Sequence, residues 1–207
     1  DFKGCYCVGG IDLSRTTDLT ACVIVIEKGG KLYVFAHFFL PKNKLQIATE
    51  RDGLPYAQYV QRGWLTLSGE NFVQYQDCYN WFVRLIKEYR IYPLKVGYDR
   101  YSSQYLVQDM KAYGFVMDDV FQGTNLTPVI REFEGLLKDG NVHIGNNDLL
   151  KVHMLDSALK METDTERVKL IKLRKYGHID GMAALLDAMC VRQKWYEQYG
   201  GQLKNEG

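Results

Sequence analysis

Extended apolar runs come first along this chain and helical periods follow. Between Cys5 and Leu40 three stretches rich in Val, Ile, Tyr and Phe, namely Tyr6 to Leu13, Leu19 to Glu27 and Lys31 to Phe39, predict strands. Lys28-Gly29-Gly30 between the second and third predicts a tight hairpin, so the opening is an antiparallel meander. Pro41 to Gly69 is polar and broken by Pro41, Gly53, Pro55, Gly63 and Gly69; it predicts an excursion from the sheet with room for one short helix near Tyr56 to Arg62. From Asn71 to Arg90 the apolar residues Phe72, Val73, Tyr75, Tyr79, Phe82, Val83, Ile86 and Tyr89 repeat at a helical spacing. Pro93 is expected to stop that helix, with a short strand, Leu94 to Tyr98, leading into Asp99.

Further on, a helix from Ser103 to Tyr113 and a strand from Phe115 to Phe121 complete an α/β passage. Thr127-Pro128 marks a helix start, with proline at the first helical position, and that helix should reach about Lys138. Val142 to Ile144 predicts a small strand, Asp148 to Met161 a helix, Arg167 to Arg174 an exposed hairpin arm, and His178 to about Tyr199 a final helix ending before Gly200-Gly201. No internal repeat or linker is visible, so residues 1–207 are expected to form a single domain. The order suggests an α/β fold: a mixed sheet, antiparallel at first and then parallel, flanked by helices. A ribonuclease H-like fold has this order, although periodicity alone does not single it out.

Composition narrows the classes. With 46% hydrophobic and 25% charged residues, the chain can bury a core and is not a disordered type. No apolar stretch approaches the roughly 20 residues of a membrane helix, and no signal peptide is expected. Cys5, Cys7, Cys22, Cys78 and Cys190 are an odd number without C-x-x-C spacing, so they are expected to be reduced, packed thiols. The net charge of +1 means that any polyanion must be met by a local basic patch.

Candidate chemistry rests on acids at element ends. Asp12 in Val8-Gly9-Gly10-Ile11-Asp12 and Asp99 in Val96-Gly97-Tyr98-Asp99 each close a predicted strand, where α/β folds place ligand sites. The glycines admit a close approach by another backbone or by a ligand. Asp180 lies in the first turn of the last helix, on a face shared with Ala183, Ala184 and Asp187 and different from the stripe Met182, Leu185, Leu186 and Met189; the small alanines are expected to let a substrate or metal come near. Asp187 lies two turns on, about 10 Å along the axis, too far to share one ion with Asp180 by a helical route. It is therefore expected to support the site from behind.

Three carboxylates suit magnesium or manganese, and two such ions about 4 Å apart can activate a water and stabilise a leaving phosphodiester oxygen. Each acid could equally cap a helix or turn. Arg167, Lys169, Lys172, Arg174 and Lys175 form a basic arm able to track a DNA backbone, or an ordinary solvated hairpin. His178 is a candidate proton shuttle or metal neighbour, or simply a helix-start residue.

Several strings together resemble the nuclease half of tailed-phage terminase large subunits. They are Gly10-Ile11-Asp12-Leu13-Ser14 with Asp18-Leu19-Thr20-Ala21, Arg51-Asp52-Gly53-Leu54-Pro55-Tyr56, Gly63-Trp64-Leu65-Thr66, Tyr98-Asp99-Arg100, Phe121-Gln122-Gly123, His143-Ile144-Gly145-Asn146-Asn147 and Ile179-Asp180-Gly181. Their order and spacing carry the likeness. It implies a ribonuclease H-like fold and a two-metal endonuclease acting on double-stranded viral DNA with little sequence preference, its acidic triad falling on Asp12, Asp99 and Asp180. It also implies portal and small terminase subunit as partners of the full-length protein, a host-cell cytoplasmic setting, and a monomeric isolated domain. Asp148, Asp156 and Gln74 depart from the family's usual proline, asparagine and acid, which leaves the role of the His143 to Asp156 segment open. No G-x-x-x-x-G-K-[ST] string occurs, so a nuclease half lacking its ATPase motor is expected. Rival resemblances are to resolvases and transposases of the same superfamily, and, through Gly10 to Thr17, to the phosphate loop of actin-like ATPases. A non-catalytic DNA-binding or assembly module is the third alternative.

Overall fold

The computed structural model describes residues 1–13, 19–100, 102 and 104–206. Residues 14–18, which include Ser14 and Asp18 of the first motif, and Ser103, the expected helix start, lie outside them. The opening meander is present as β1 (Tyr6–Asp12), β2 (Thr20–Lys28) and β3 (Lys31–Leu40), paired antiparallel. Gly29 and Gly30 turn the hairpin with φ of 60° and 73°, a pair of left-handed values that suits glycine and the twist of the two strands. Along β2 the side chains alternate strictly: Ala21, Val23 and Val25 enter one core, Cys22, Ile24 and Ile26 the other. Both faces of this strand are therefore covered, which explains why it is apolar throughout.

The segment after β3 is more structured than its composition predicts. It holds α1 (Leu45–Asp52) and α2 (Tyr56–Gln61), and it returns to the sheet as β4 (Leu65–Leu67), parallel to β3. The helix α1 buries little beyond Ala48, so it carries almost no apolar period. The next helix, α3 (Tyr75–Lys87), starts four residues later than expected, leaving Phe72 exposed. It ends at Lys87, well before Pro93, and Arg90, with φ of 54°, lies in the short connection that follows. Pro93 instead lies inside β5 (Tyr92–Asp99), where the register with β1 shifts and a missing N–H is tolerated.

Next come α4 (Gln104–Tyr113), β6 (Met117–Val120), α5 (Thr127–Lys138) and β7 (Val142–His143), much as predicted. The expected helix from Asp148 to Met161 divides into α6 (Asp148–Leu155) and β8 (Ser157–Met161), and β8 pairs antiparallel with β9 (Val168–Lys172) to make the predicted arm. The break falls at Asp156, whose carbonyl accepts from Leu173 N at 2.7 Å and whose carboxylate is gripped by the Arg174 guanidinium at 2.9 and 3.1 Å. The last helix, α7 (Asp180–Leu203), runs through Gly200-Gly201 rather than stopping there.

The main sheet is seven-stranded, ordered β4-β3-β2-β1-β5-β6 with β7 also on β3, and β1, β5 and β6 run parallel. Helices α5, α6 and α7 pack on one face, α3 and α4 on the other. This is the mixed, helix-flanked α/β architecture expected. The cysteines are free, four of them buried, and among the described residues no helix is long and apolar enough to cross a membrane.

Candidate functional site

A repeated Gly-x-Asp string builds the strand ends. Gly10-Ile11-Asp12 closes β1 and Gly97-Tyr98-Asp99 closes β5, with Gly10 opposite Gly97 and Ile11 opposite Tyr98. Because side chains alternate, Asp12 and Asp99 leave the sheet on the face of the glycines two residues earlier. A Cβ on Gly10 would stand 1.9 Å from the Ala184 carbonyl oxygen, and one on Gly97 would stand 2.5 Å from that of Asp187. The glycines thus admit a backbone, that of α7. Ala184, expected beside a bound ion, is fully buried in that contact instead. One helical turn back from Ala184 brings Asp180 over the end of β1, beside Asp12.

The carboxyls of Asp12 and Asp180 are hydrogen-bonded to each other. Burial first, then the charges of Asp180 and Asp99, push Asp12 well above the usual carboxylate range. Burial raises Asp180 as well, against offsets from His178, its own backbone amide, Lys172 and the bond from Asp12. Asp187 is fully buried, and burial and then the Asp12 charge push its carboxyl well up, with Gln122 opposing and Asp99 adding. Gln122 Nε2 donates to its Oδ1, while Oδ2 has no hydrogen-bond partner among the described residues. Asp187 therefore meets Asp12 across the helix–sheet contact rather than Asp180 along the helix.

Among the described residues no three His, Cys, Asp or Glu side chains already stand as a cage for one ion. What the fold assembles is a carboxyl pair, Asp12 and Asp180, with Asp99 close enough to act on Asp12 by charge and Asp187 close enough to feel the charge of Asp12. Facing carboxyls, above a buried carboxyl oxygen without a hydrogen-bond partner among the described residues, are a hard-oxygen donor set that fits a magnesium-type cation.

His178 is buried and reaches both sides of this arrangement: its Nε2 is 2.8 Å from Asp52 Oδ2 and its Nδ1 is 3.8 Å from Asp180 Oδ2. His153, from α6, accepts from the Gly181 N–H at 3.0 Å through Nδ1 and pins the first turn of α7; burial lowers its pKa to about 3. The basic residues separate into two groups. Arg167, Lys169 and Lys172 are exposed on or beside β9, and Lys172 is near enough to lower Asp180, whereas Arg174 is tied to Asp156. Lys175 lies over the Tyr176 ring at 5.4 Å.

The sequence matches the family described as terminase large subunit, endonuclease domain, over residues 1–194. The chain belongs to that family. It is 28% identical over 196 residues to the terminase large subunit of Enterobacteria phage HK97, covering 93% of this chain and 38% of that protein. The terminase large subunit of Lactococcus phage p2 is 27% identical over 190 residues, covering 87% of this chain and 34% of that protein. The crystal structure of the HK97 bacteriophage large terminase superposes with a TM-score of 0.81 at 25% identity, over 92% of this chain and 40% of that one. The large terminase nuclease from thermophilic phage G20c with bound magnesium superposes with a TM-score of 0.57 at 12% identity, over 89% and 80% of the two chains, a likeness of fold. The chain thus spans well under half the length of its curated relatives, and its ribonuclease H-like fold is that of terminase nuclease domains. This membership displaces the actin-like, resolvase and transposase resemblances.

Two features of this terminase-family chain escape a reading of chemistry from sequence: the contact of Asp52 with His178 and the hydrogen bond from Gly181 N to His153. The string Arg51 to Tyr56 stands out only through resemblance, because nothing local ties it to residues more than a hundred positions away.

Proposed function

We propose that residues 1–207 form one nuclease unit, a divalent-cation-dependent endonuclease that hydrolyses double-stranded DNA with little sequence preference during phage genome packaging. The observation that carries this reading is the hydrogen-bonded pair Asp12 and Asp180, with Asp99 beside Asp12, on the face where α7 crosses the strand ends. Asp12, Asp99 and Asp180 would hold one or two Mg2+ or Mn2+ ions, which supply Lewis acidity for water activation and leaving-oxygen stabilisation when bound. Asp187, hydrogen-bonded to Gln122, backs Asp12 from inside the core. Lys172 extends positive charge from the arm toward Asp180, and Arg167, Lys169 and Lys175 offer contacts to phosphates that carry no sequence information. Portal protein and small terminase subunit are the partners this reading assigns to the full-length protein, in the cytoplasm of a phage host.

The test is plasmid cleavage by the purified chain. Nicking and linearisation should require Mg2+ or Mn2+ and vanish in Asp12→Asn and Asp180→Asn, both folded by circular dichroism. Persistent cleavage in both variants would sink the assignment.

A further inference from the structure

We infer that Arg100 is a phosphate-binding residue for DNA, its guanidinium preset beside the carboxylate site by Phe121 and Asp119. This rests on the reading of the domain as a DNA nuclease and adds a contact outside the basic arm. Arg100 follows Asp99 directly, and the ladder between β5 and β6 carries on past that acid: Asp99 is opposite Val120, and Arg100 N donates to the Val120 carbonyl at 3.2 Å. Phe121, next after Val120, is thereby set beside Arg100 at the end of the sheet that carries Asp99.

The string Phe121-Gln122-Gly123 builds the support. A Cβ on Gly123 would stand 2.8 and 3.3 Å from two atoms of the Phe121 ring and 3.1 Å from Asn125 Oδ1, so the ring folds back over this glycine. Asn125 Nδ2 donates to the Phe121 carbonyl at 3.1 Å, and Gln122 Nε2, bonded to Asp187 Oδ1 and 3.2 Å from the Ala183 carbonyl, ties the string to α7. On the ring so fixed lies the Arg100 guanidinium, its carbon 5.4 Å from the centroid and within cation–π range. Asp119 Oδ2 meets its Nη2 at 3.1 Å.

The ring is 45% exposed, and the arginine and aspartate side chains are 49% and 48% exposed, so the arrangement adds little to stability. What it achieves is order. A long side chain is restricted in advance, and a phosphate approaching Asp99 meets a guanidinium already in place. The fork has five N–H donors, more than one carboxylate accepts, so a phosphate oxygen can bind while the pair with Asp119 persists. The neighbouring Asp118 carboxylate is compensated by Lys194 at 3.0 Å and by the Trp195 N–H at 2.7 Å. Basic charge continues from here to the arm: Thr124, next after Gly123, shares a surface cavity of about 270 Å3 with Lys160, Glu162 and Lys169. Lys172, further along β9, lies near enough to act on Asp180. Cations thus stand on the Asp99 side and on the Asp180 side of the carboxylates, where they can hold the phosphates that flank a bond placed between them.

The experiment is fluorescence anisotropy of a labelled duplex across a salt series without divalent cation, beside Mn2+ titration of the DNA-free protein by electron paramagnetic resonance. Arg100→Ala should weaken DNA binding about 10-fold and flatten the slope of log K against log[salt] by about 0.9, the share of one phosphate, with Mn2+ affinity within a few-fold of wild type. Arg100→Lys keeps the charge without the planar stack, and should keep the slope while losing part of the affinity. Asp119→Asn should tighten DNA binding, because it removes a competing acceptor and a repulsive charge; a purely structural role for the ion pair gives the opposite sign. An unchanged slope in Arg100→Ala overturns the inference, including the case in which Mn2+ affinity falls and the slope stays. If Arg100→Ala fails to fold, failure of Asp119→Asn to tighten binding overturns it independently. A wild type that binds no duplex overturns the nuclease reading along with the inference, whereas wild-type binding that ignores Arg100 overturns the inference alone.

Discussion

Asp12 and His153 pull the stability of the cation-free chain in opposite directions with pH. Asp12 has its folded pKa raised, so its contribution is present below the unfolded carboxylate range near pH 4 and is lost as pH rises through the folded value. At neutral pH the crowded carboxyls therefore destabilise the fold. Asp12→Asn should raise the melting temperature of the cation-free protein, by about 2–4 °C for each kcal/mol relieved, while removing the further stabilisation that Mg2+ gives the wild type. That wild-type gain is about 2.7 kcal/mol at a hundred times Kd. Differential scanning calorimetry with and without Mg2+ measures both, and a fall in the cation-free melting temperature would contradict the electrostatic picture. His153 has its pKa lowered to about 3, so its contribution is complete above about pH 6.5 and drains away as pH falls toward 3. His153→Gln, which keeps an acceptor for Gly181, should flatten the acid limb of urea-derived stability between those values. At this scale the placement of Asp12, Asp99 and Asp180 at element ends was legible because each closes or opens a periodic segment. Asp187 was only partly so: its distance from Asp180 along the helix says nothing about its distance from Asp12 across the sheet.

Glycines decide how closely α7 lies on the sheet. Gly10→Ala would drive a Cβ to 1.9 Å from the Ala184 carbonyl and 2.8 Å from Ala188 N, both backbone atoms that cannot swing aside. Overpacking of this kind costs about 1–3 kcal/mol or more, and it also lifts Asp180 away from Asp12, so cleavage should be lost even where the variant folds. Gly135→Ala provides the opposite sign: it lies exposed within α5 with nothing within 4 Å of a new Cβ, and should stabilise by about 1 kcal/mol. Chemical denaturation of the two variants tests the pair together; equal and small effects would refute the close packing. The Gly-x-Asp strings were visible in the sequence, but glycine signals close approach without naming what approaches. The meander, the Gly29-Gly30 turn and α5 were legible from local periodicity and turn chemistry. The division of α6 from β8 was not, because Leu149, Leu150, Val152, Met154 and Leu155 continue into Ala158 and Leu159 at an acceptable helical spacing. Only the distant partners Leu173 and Arg174 force the break at Asp156.

For the molecule as a whole the electrostatic question is how a chain of net charge +1 engages a polyanion. A diffuse attraction is weak at that charge, and the proposed function gives the DNA contacts to the arm formed by β8 and β9, whose cations are not equivalent. Arg167 and Lys169 are exposed and belong to no ion pair among the described residues, while Arg174 is committed to Asp156 at the base of the arm. Sequence alone made these positions look alike, since all fall in one basic run. The fold separates them, and salt dependence reveals the separation. Each phosphate contact contributes a slope of about −0.9 to log K against log[salt] on duplex DNA. Arg167→Ala combined with Lys169→Ala should therefore weaken DNA binding and flatten that slope by up to about 1.8, with Mn2+ affinity and melting temperature unchanged. Arg174→Ala should do the reverse: it removes a partner from a carboxylate whose side chain is 8% exposed, lowering the melting temperature of the arm's base and leaving the slope nearly intact. Fluorescence anisotropy across a salt series, run beside thermal melts, resolves the two behaviours. A slope that responds to Arg174 and ignores Arg167 and Lys169 would place the DNA on a different face of the domain.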